Sequence, residues 1–447
     1  MRTNKHAFAL FSALAAIAAG CGAHQPAVPA IAPKPASIAL QAPASLPKYV
    51  IVMIQENRTV DNLFQTQPGV DTQSYGFDSR GRRVPLVQRS LGWSFDCSHS
   101  HASFVTEVTQ GFDLESCGAN APADAAFSYV SPDDITQYTQ LASQYAFADH
   151  VLQSNEGPSF PAHLYLIAAT SGTPGSNWSI AENDITNPPT PAGCNASFDK
   201  TVKMIDMTSI FPGDEGNPSF PCVNPPTIFN ELDDAHISWK YYTPSVDSIW
   251  TAPYAVQSLY FGDRTKVIVP ETQVLSDIQN GHLAQVTYII PSAYDSDHPG
   301  KNNVGGPTWV ASVVNAVGSS RYWNQCAIIV VWDDWGGWYD HIAYRHPVGN
   351  LLDPYEYGLR VPLIAIGPYA RPGYVSHVQR DFSAVPHFIE DVYGLPSLGA
   401  LDAQTDDLFG LFNFNGHART FSPIDTGKVT IKSLINRPPD TSPVDSD

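Results

Sequence analysis

Four apolar runs in the chain end at side chains that can bind a metal ion or a phosphate group. The run 49–54 leads into Glu56-Asn57, and the run 286–290 leads into Asp295-Ser296-Asp297-His298. Buried strands have this length and composition. Ligands of open α/β sheets bind outside the carboxyl ends of the strands, so chain-distant polar groups at such ends are predicted to share one site.

The two other runs complete this pattern. The run 327–332 leads into Asp333-Asp334, and a weaker run, 145–152, leads towards Ser159. Helical patterns lie between the runs. The sequence therefore predicts an α/β fold with a mostly parallel central sheet, helices on both faces and long loops.

Other segments give local predictions. Pro132 to Gln144 is predicted to be a helix capped by Ser131. A long loop or lid is predicted for residues 172–226, which are rich in Gly, Pro, Asn and Ser. The further predicted elements are helices at 161–169, 226–234, 310–317 and 382–393, strands at 237–242 and 361–366, and a disordered tail at 437–447.

The acidic pair Asp333-Asp334 follows the most hydrophobic run. Adjacent carboxylates at a buried strand end repel each other and stay ionised only if a cation or strong donors compensate. Glu56 and Asn57 also offer hard oxygen ligands. Each pair could instead form a simple polar turn, but the three tryptophans around Asp333-Asp334 favour a walled pocket.

Ser159 lies in the segment Gly157-Pro158-Ser159-Phe160-Pro161, just before a predicted helix. A hydroxyl at a helix N-terminus can be activated by a metal, and the backbone N–H groups there favour phosphate. The alternative is that Ser159 only caps the helix. The segment is not the Gly-x-Ser-x-Gly turn of the α/β-hydrolases, which argues against ordinary esterase chemistry.

Charge limits the possible partners of the chain. Its 447 residues carry a formal charge of −19 without a basic tract, which disfavours binding to nucleic acid or anionic lipid. A local metal-bearing pocket could still accept an anion. No linker interrupts residues 48–425, so we expect one domain there and a polar tail at 426–447.

The N-terminus has the pattern of an export signal. Arg2 and Lys5 precede a short apolar stretch, and small residues precede Cys21. This pattern predicts a signal peptide at 1–20, lipidation of Cys21 and an Ala/Pro-rich tether at 21–47. The protein would then be anchored by lipid in the bacterial cell envelope, periplasmic or surface-exposed; ordinary secretion is the alternative.

Export permits disulfide bonds. Cys97 and Cys117 flank one loop-rich stretch, and Cys194 and Cys222 flank another. We expect each pair to form a local bridge. Cys326 opens an apolar run and is predicted to be a buried free thiol.

The chain resembles the bacterial phosphoesterase family that joins phospholipase C-type enzymes with a respiratory-burst-inhibiting acid phosphatase. Five motifs carry the resemblance, in family order, at residues 56–64, 157–161, 297–299, 332–341 and 360–364. The resemblance implies an alkaline-phosphatase-like α/β fold and a nucleophilic Ser159. It implies a metal site formed by Glu56, Asn57, Ser159, Asp333 and Asp334, and phosphate-binding roles for His99 and His298. We also expect His163 and His341 to contact the substrate.

Two departures from the phospholipase branch favour the acid-phosphatase branch. His163 stands where phospholipase C-type members usually have arginine, and the acidic pair is Asp-Asp where they usually have Asp-Glu followed by histidine. The same missing arginine argues against a sulfatase.

The expected function is that of an exported, metal-dependent phosphoric-ester hydrolase of acid-phosphatase type. A metal-activated Ser159 would form a phosphoseryl intermediate, and His298 or His99 would protonate the leaving oxygen. Oxygen ligands admit Mg, Ca or Mn, and a neighbouring histidine would admit Zn or Fe. The alternatives are a phospholipase C acting on phospholipid and an inactive surface-binding lipoprotein.

Overall fold

A nine-stranded sheet forms the centre of the protein. The computed structural model describes residues 46–183, 191–208, 215–301, 304–342, 355, 357–440 and 442. The predicted signal peptide and almost all of the predicted tether, residues 1–45, lie outside these ranges.

The strands of the described residues are β1 Tyr49–Gln55, β2 Tyr75–Phe77, β3 Arg83–Pro85, β4 Val87–Arg89, β5 Ser128–Val130, β6 Ala146–Leu152, β7 Trp178–Ile180, β8 Val202–Asp206, β9 Glu215–Ser219, β10 Trp239–Tyr242, β11 Val267–Ile268, β12 Val286–Ile289, β13 Cys326–Trp332, β14 Arg360–Ile366, β15 Tyr374–Ser376 and β16 Arg380–Asp381.

The central sheet has the strand order β11-β10-β12-β1-β13-β14-β6-β15, with β16 also paired to β6. All of its pairings are parallel except those of β14 with β13 and with β6. Since β14 is antiparallel to both neighbours, β6 runs in the same direction as β13, β1 and β12. Their carboxyl ends therefore meet at one edge of the sheet. The predicted α/β class with a mostly parallel sheet is confirmed.

Burial explains why these strands read as continuous apolar runs rather than alternating ones. Every residue of β13 and β14 is buried, as are all residues of β1 after Tyr49. A strand covered on both faces gains from apolar side chains on both, which removes the two-residue period.

The α-helices of the described residues cover the sheet and its loops. They are α1 Val60–Leu63, α2 His101–Thr109, α3 Thr136–Gln144, α4 Ser159–Ala168, α5 Ile228–Asp234, α6 Gln257–Tyr260, α7 Gln273–Asn280, α8 Gly306–Gly318, α9 Ala384–Tyr393 and α10 Ile431–Ile435.

Helix α3 begins later than the sequence predicts. Its N-cap is Ile135, which makes no side-chain capping bond, so the predicted cap at Ser131 is wrong. The backbone N–H of Ser131 instead donates to the carbonyl of Arg89 at 2.7 Å, which holds Ser131 in the extended segment after β5. The remaining predicted helices agree with the structure to within a few residues.

The predicted loop at 172–226 contains a small sheet. Strands β7, β8 and β9 pair antiparallel in it, so the expectation of an irregular segment is wrong for these residues. Each strand has only three to five residues, and β9 contains Gly216 and Pro218, which hide the strand pattern. Residues 184–190 and 209–214 of this segment lie outside the described residues.

The cysteine predictions are confirmed. Cys97 is bridged to Cys117 and Cys194 to Cys222, with sequence separations of 20 and 28. Cys326 is a buried free thiol. The first bridge ties down the segment that carries His99, and the second closes the segment that holds β8 and β9.

The prediction that residues 437–447 are disordered is wrong for residues 437–440. Arg437 donates to the buried carboxylate of Asp295, with Nη1 at 2.9 Å from Oδ1. Tyr294 N–H donates to Asp440 at 2.9 Å. The region predicted to be a polar tail also contains α10, whose Leu434 is buried against the main core. Ion pairing over a long sequence separation leaves no local signal in the sequence.

Among the described residues, none of the helices combines the length and the apolar character that crossing a bilayer requires.

Candidate active site

The two acidic motifs lie side by side because their strands are neighbours. Gln55 pairs with Trp332 in the register of β1 and β13, so Glu56 and Asp333 both follow at the carboxyl edge of the sheet. The N–H of Asp333 extends the ladder by donating to the carbonyl of Gln55 at 2.9 Å. The predicted convergence of these motifs is confirmed.

Ser159 reaches the same point from β6. It is the first residue of α4 and follows the N-cap Pro158, so it does not cap the helix through its side chain. Its hydroxyl donates to Asp334 Oδ2 at 3.0 Å, and Glu56 Oε2 lies 3.5 Å away. All three side chains are fully buried. The Ser159 hydroxyl therefore faces carboxylates at the positive end of a helix dipole.

Asn57 is held in an orientation that exposes its oxygen. Its Nδ2 donates to Asp334 Oδ1 at 3.0 Å and lies 3.0 Å from His99 Nε2. Turning the amide over would place Oδ1 against a carboxylate oxygen, which is unfavourable. Oδ1 consequently has no hydrogen-bond partner among the described residues, although it is buried. A buried amide oxygen without a donor is expected where a cation binds.

Close backbone approach explains the glycine pair after the acidic motif. Gly336 has φ +62°, and a Cβ there would lie 2.6 Å from the carbonyl oxygen of Asn57. Gly336 N–H also donates to Asp334 Oδ1 at 2.7 Å. Only glycine has both the left-handed backbone and the space, so this turn fixes the carboxylate of Asp334 beside Asn57.

His163 is the residue whose place differs most from its predicted role. Its Nε2 lies 3.2 Å from Glu56 Oε1 and 3.5 Å from Asp333 Oδ2, and all three side chains are fully buried. These three residues have ligand atoms within 4.8 Å of one another. His163 is therefore positioned among the predicted metal ligands. The sequence signal for this position of His163 was its place one turn after Ser159 on the same helix.

The charge of this group calls for a cation. Glu56, Asp333 and Asp334 are buried together, which disfavours three ionised carboxylates. Burial raises the pKa of Asp333, but the hydrogen bond and charge of His163, together with the side-chain interactions with Glu56 and Ser159, outweigh it and hold that pKa below its ordinary value. The donor set of carboxylate oxygens, the Asn57 amide oxygen and one imidazole fits a divalent metal ion.

His99 and His298 border the group on one side. The Nδ1 of His99 lies 2.8 Å from the carbonyl of Cys97, and a carbonyl can only accept, so Nδ1 carries a proton. In the neutral imidazole, Nε2 is then the acceptor for the amide of Asn57. The His298 ring lies 5.7 Å from that of His99, and its Nδ1 donates to the carbonyl of Pro299 at 2.8 Å.

The loop carrying His298 is held by buried partners that the sequence analysis did not single out. Asp297 Oδ2 accepts from Tyr138 at 2.8 Å and from Trp332 Nε1 at 2.9 Å. Burial raises the pKa of Asp297 to about 6, against the opposing charge of Arg58. Arg58 also donates to the carbonyl of Asp297 at 2.7 Å. Motif residues next to the expected ligands thus position the loop that carries His298.

His341 is not brought into this group. Its Nδ1 lies 2.8 Å from Asp61 Oδ2 and 3.2 Å from Arg360 Nη2. Arg360 also pairs with Asp340 at 2.9 Å. The described contacts of His341 are with this second network and with Asp71, whose Oδ1 lies 3.5 Å from His341 Nε2, so the structure gives no support for substrate contact by His341.

A buried ion cluster connects the small sheet to the segment before Ser159. His101 Nδ1 lies 2.9 Å from Glu215 Oε1 on β9, and Nε2 lies 3.7 Å from Glu156 Oε2. Burial lowers the pKa of His101, but the two carboxylates outweigh it and raise that pKa to about 9. His101 is therefore cationic at neutral pH and attracts both segments.

The sequence profile of the Phosphoesterase family matches residues 48–396. The chain belongs to this family. Each motif that forms the Ser159 group lies within the matched range.

Three curated relatives to which this chain is similar are phospholipases C. The non-hemolytic phospholipase C of Pseudomonas aeruginosa is 23% identical over 431 residues, covering 82% of this chain and 57% of the relative. Non-specific phospholipase C1 of Arabidopsis thaliana is 22% identical, covering 78% and 67%, respectively. Phospholipase C B of Mycobacterium tuberculosis is 25% identical, covering 82% and 78%. The chain thus spans little more than half the length of the Pseudomonas enzyme.

A solved structure of a protein in the alkaline phosphatase superfamily from Vibrio parahaemolyticus aligns with 80% of this chain and 70% of its own, with a TM-score of 0.36 and 12% identity.

Replacing His101 with glutamine should weaken the fold in a pH-dependent manner. The folded-state pKa of about 9 lies above the ordinary value of 6.5, so the stabilisation is complete below pH 6.5 and is lost as pH rises through about 9. At 1.36 kcal/mol per pKa unit, the loss at pH 6 is up to roughly 3 kcal/mol.

Urea unfolding of the wild type and His101→Gln from pH 6 to 9.5 measures this difference. His417→Gln, at an exposed histidine, is the control. A difference that stays constant over that pH range would mean that His101 contributes packing alone.

Proposed function

We propose that this chain is a metal-dependent phosphoric-ester hydrolase with Ser159 as its nucleophile. The observation that carries the proposal is the position of the Ser159 hydroxyl, 3.0 Å from Asp334 and at the first position of α4, within a fully buried acidic group. Binding alone does not need a hydroxyl in such a group, which disfavours the inactive lipoprotein alternative.

The proposed metal ligands are Glu56, Asn57, Ser159, Asp333 and Asp334, with His163 added from its position. A divalent ion bound there would lower the pKa of the Ser159 hydroxyl and polarise the phosphoryl group. His163 supplies a nitrogen donor, which favours a first-row transition ion over magnesium or calcium. Its contacts with Glu56 and Asp333 argue against the role of substrate contact that we expected from the sequence.

In the proposed reaction, the Ser159 oxygen attacks phosphorus in line with the leaving oxygen. The bond from phosphorus to the leaving group breaks, and a phosphoseryl group forms on Ser159. Water then cleaves that group, which restores the hydroxyl and releases phosphate or a phosphate monoester. Asp334 orients the hydroxyl through its hydrogen bond of 3.0 Å.

The hydrogen bonds favour His298 over His99 as the proton donor to the leaving oxygen. His99 uses Nδ1 towards the carbonyl of Cys97 and accepts from Asn57 at Nε2. Protonation of that Nε2 would break the contact that orients Asn57. The Nδ1 of His298 donates to the carbonyl of Pro299 at 2.8 Å, with Asp96 Oδ2 3.7 Å away, so these contacts orient the His298 ring without involving Asn57.

Substrate class has two candidates. His163 and the Asp333-Asp334 pair favour a phosphomonoesterase of acid-phosphatase type, as argued from the sequence. The names of the reported relatives favour phospholipase C and hence a phospholipid diester. We propose the monoesterase, with diester cleavage as the alternative.

Replacing Ser159 with alanine should lower turnover of a chromogenic phosphomonoester by at least ~10³-fold, a barrier increase of about 4 kcal/mol. Ser312→Ala is the matched control, since Ser312 is a buried helical serine that donates within α8. Parallel assays with a phosphocholine diester identify the substrate class. Near-normal turnover of both esters by Ser159→Ala would refute the proposal that Ser159 is the nucleophile.

Replacing Asp333 with asparagine should remove about one divalent ion per chain, because it deletes a charged ligand from the group. Elemental analysis of purified protein measures this. Asp402→Asn is the control, since Asp402 is a fully buried aspartate that accepts backbone hydrogen bonds elsewhere. Equal metal content in the two variants would contradict the proposed site.

Export with a lipid on Cys21 remains a prediction of the sequence, and the two disulfides agree with export. Mass spectrometry of the mature N-terminus tests it; an unmodified terminus at another residue would refute lipidation.

A further inference from the structure

A second group of metal-binding side chains lies at β6 and its neighbour β15, outside the Ser159 group. Asp149, His150 and His377 have ligand atoms within 4.8 Å of one another. Asp71 lies beside this group, with Oδ2 at 3.0 Å from His150 Nε2. His377 Nδ1 lies 2.9 Å from Asp149 Oδ2. With Asp71, the group thus offers two imidazoles and two carboxylates.

Strand register explains why these side chains meet. Ala148 on β6 pairs with Ser376 on β15, so the next residues, Asp149 and His377, are neighbours on parallel strands. The pairing of β6 with β14 is irregular where Pro362 of β14 faces residues 149–150. A bulge there changes the direction of one side chain, so Asp149 and His150 can serve one site although they are consecutive.

The spacing suits a small tetrahedral ion. Bonds of about 2.0–2.2 Å to nitrogen and oxygen separate neighbouring ligand atoms by roughly 3.3–3.6 Å. The measured separations of 2.9 Å, 3.0 Å and 4.0 Å fall on both sides of that value. Small movements of the side chains would therefore complete the coordination.

Supporting contacts hold the ligands in place while leaving a route for entry. Asp149 is fully buried, its Oδ2 accepts from the N–H of Asp71 at 2.8 Å, and its carbonyl accepts from Arg360 at 3.1 Å. The side chains of His150, Asp71 and His377 are 24%, 42% and 56% exposed. An ion could reach them from solvent and would still bind to a rigid strand.

The ligand atoms of a neighbouring group, Asp61, Asp340 and His341, also lie close enough together to bind a metal ion. Other groups of the protein, however, already pair with these side chains. Arg360 forms two hydrogen bonds with Asp340, and Asp61 accepts from the N–H groups of Gln73 and His341. Arg360 therefore supplies the positive charge there. Arg360 Nη1 also donates to the backbone carbonyl of Asp71 at 3.0 Å, but it lies 3.9 Å from the carboxylate oxygen Oδ2 of Asp71.

We propose that Asp71, Asp149, His150 and His377 form a second, structural site for a divalent ion of the zinc class. Two neutral imidazoles with two carboxylates are a preferred donor set for Zn²⁺. The ion would join the loop after α1, which carries Asp71, to the edge of the central sheet. Its binding does not depend on the function proposed for Ser159.

Zinc stoichiometry of the full chain tests this site. Equilibrium dialysis against Zn²⁺ should show that His377→Ala binds about one ion per chain fewer than the wild type. His387→Ala is the matched control, because His387 pairs with Asp391 on α9 at 3.6 Å without further ligands in the described contacts. This control should bind as much zinc as the wild type.

The variant His377→Arg separates metal binding from a simple ion pair. Arginine keeps a positive partner for Asp149 at this half-exposed position but cannot bind zinc. We expect His377→Arg to lose the same ion as His377→Ala and to lose the rise in melting temperature that zinc gives the wild type. Wild-type zinc content in both variants would overturn the proposal and leave an ion-pair network.

Turnover of a phosphomonoester distinguishes this site from the Ser159 group. His377→Ala should keep its activity when the Ser159 group is loaded, whereas Asp333→Asn should lose activity and keep the second ion. The double variant His377→Ala/Asp333→Asn should lose two ions. Loss of only one ion would show that the two groups do not bind separate ions and would refute the second site.

Discussion

The burial of three carboxylates at one edge of the sheet is the constraint on which the rest of the site depends. Glu56 and Asp333 are placed there by adjacent parallel strands, and Asp334 follows in the same loop. Their repulsion in a place with little water would oppose folding unless positive charge is supplied. The imidazole of His163 lies against Glu56 and Asp333, and the Asn57 oxygen completes a donor set that suits a divalent ion.

The surrounding loops hold these side chains in place through specific contacts. The turn at Gly336 fits against Asn57 and holds the carboxylate of Asp334. The Cys97–Cys117 bridge fixes the segment whose His99 orients the Asn57 amide. A chain in which each loop is restrained in this way presents its hydroxyl in one position, which is what attack on phosphorus requires.

The sequence predicted those features of the fold and of the site that depend on local residue patterns. Apolar runs ending in polar motifs predicted the central sheet. They also predicted that Glu56, Asp333 and Ser159 lie close together, as they do in the structure. The place of His163 among the carboxylates could not be predicted, because it depends on how α4 packs against two other strands. The expectation for His341 came from its nearness to the acidic motif in sequence, whereas in the fold its Nδ1 lies 2.8 Å from Asp61 Oδ2. Strand β9 and the pairing of Arg437 with Asp295 likewise depend on tertiary contacts.

Rapid-quench peptide mapping tests the central claim, that Ser159 attacks phosphorus, most directly. The protein is mixed with a phosphomonoester, quenched in acid within one turnover and digested. The account predicts a phosphorylated peptide containing Ser159 that appears and decays at rates matching turnover. Release of product at the normal rate with no phosphate on that peptide at any time would contradict the account and would make water the nucleophile.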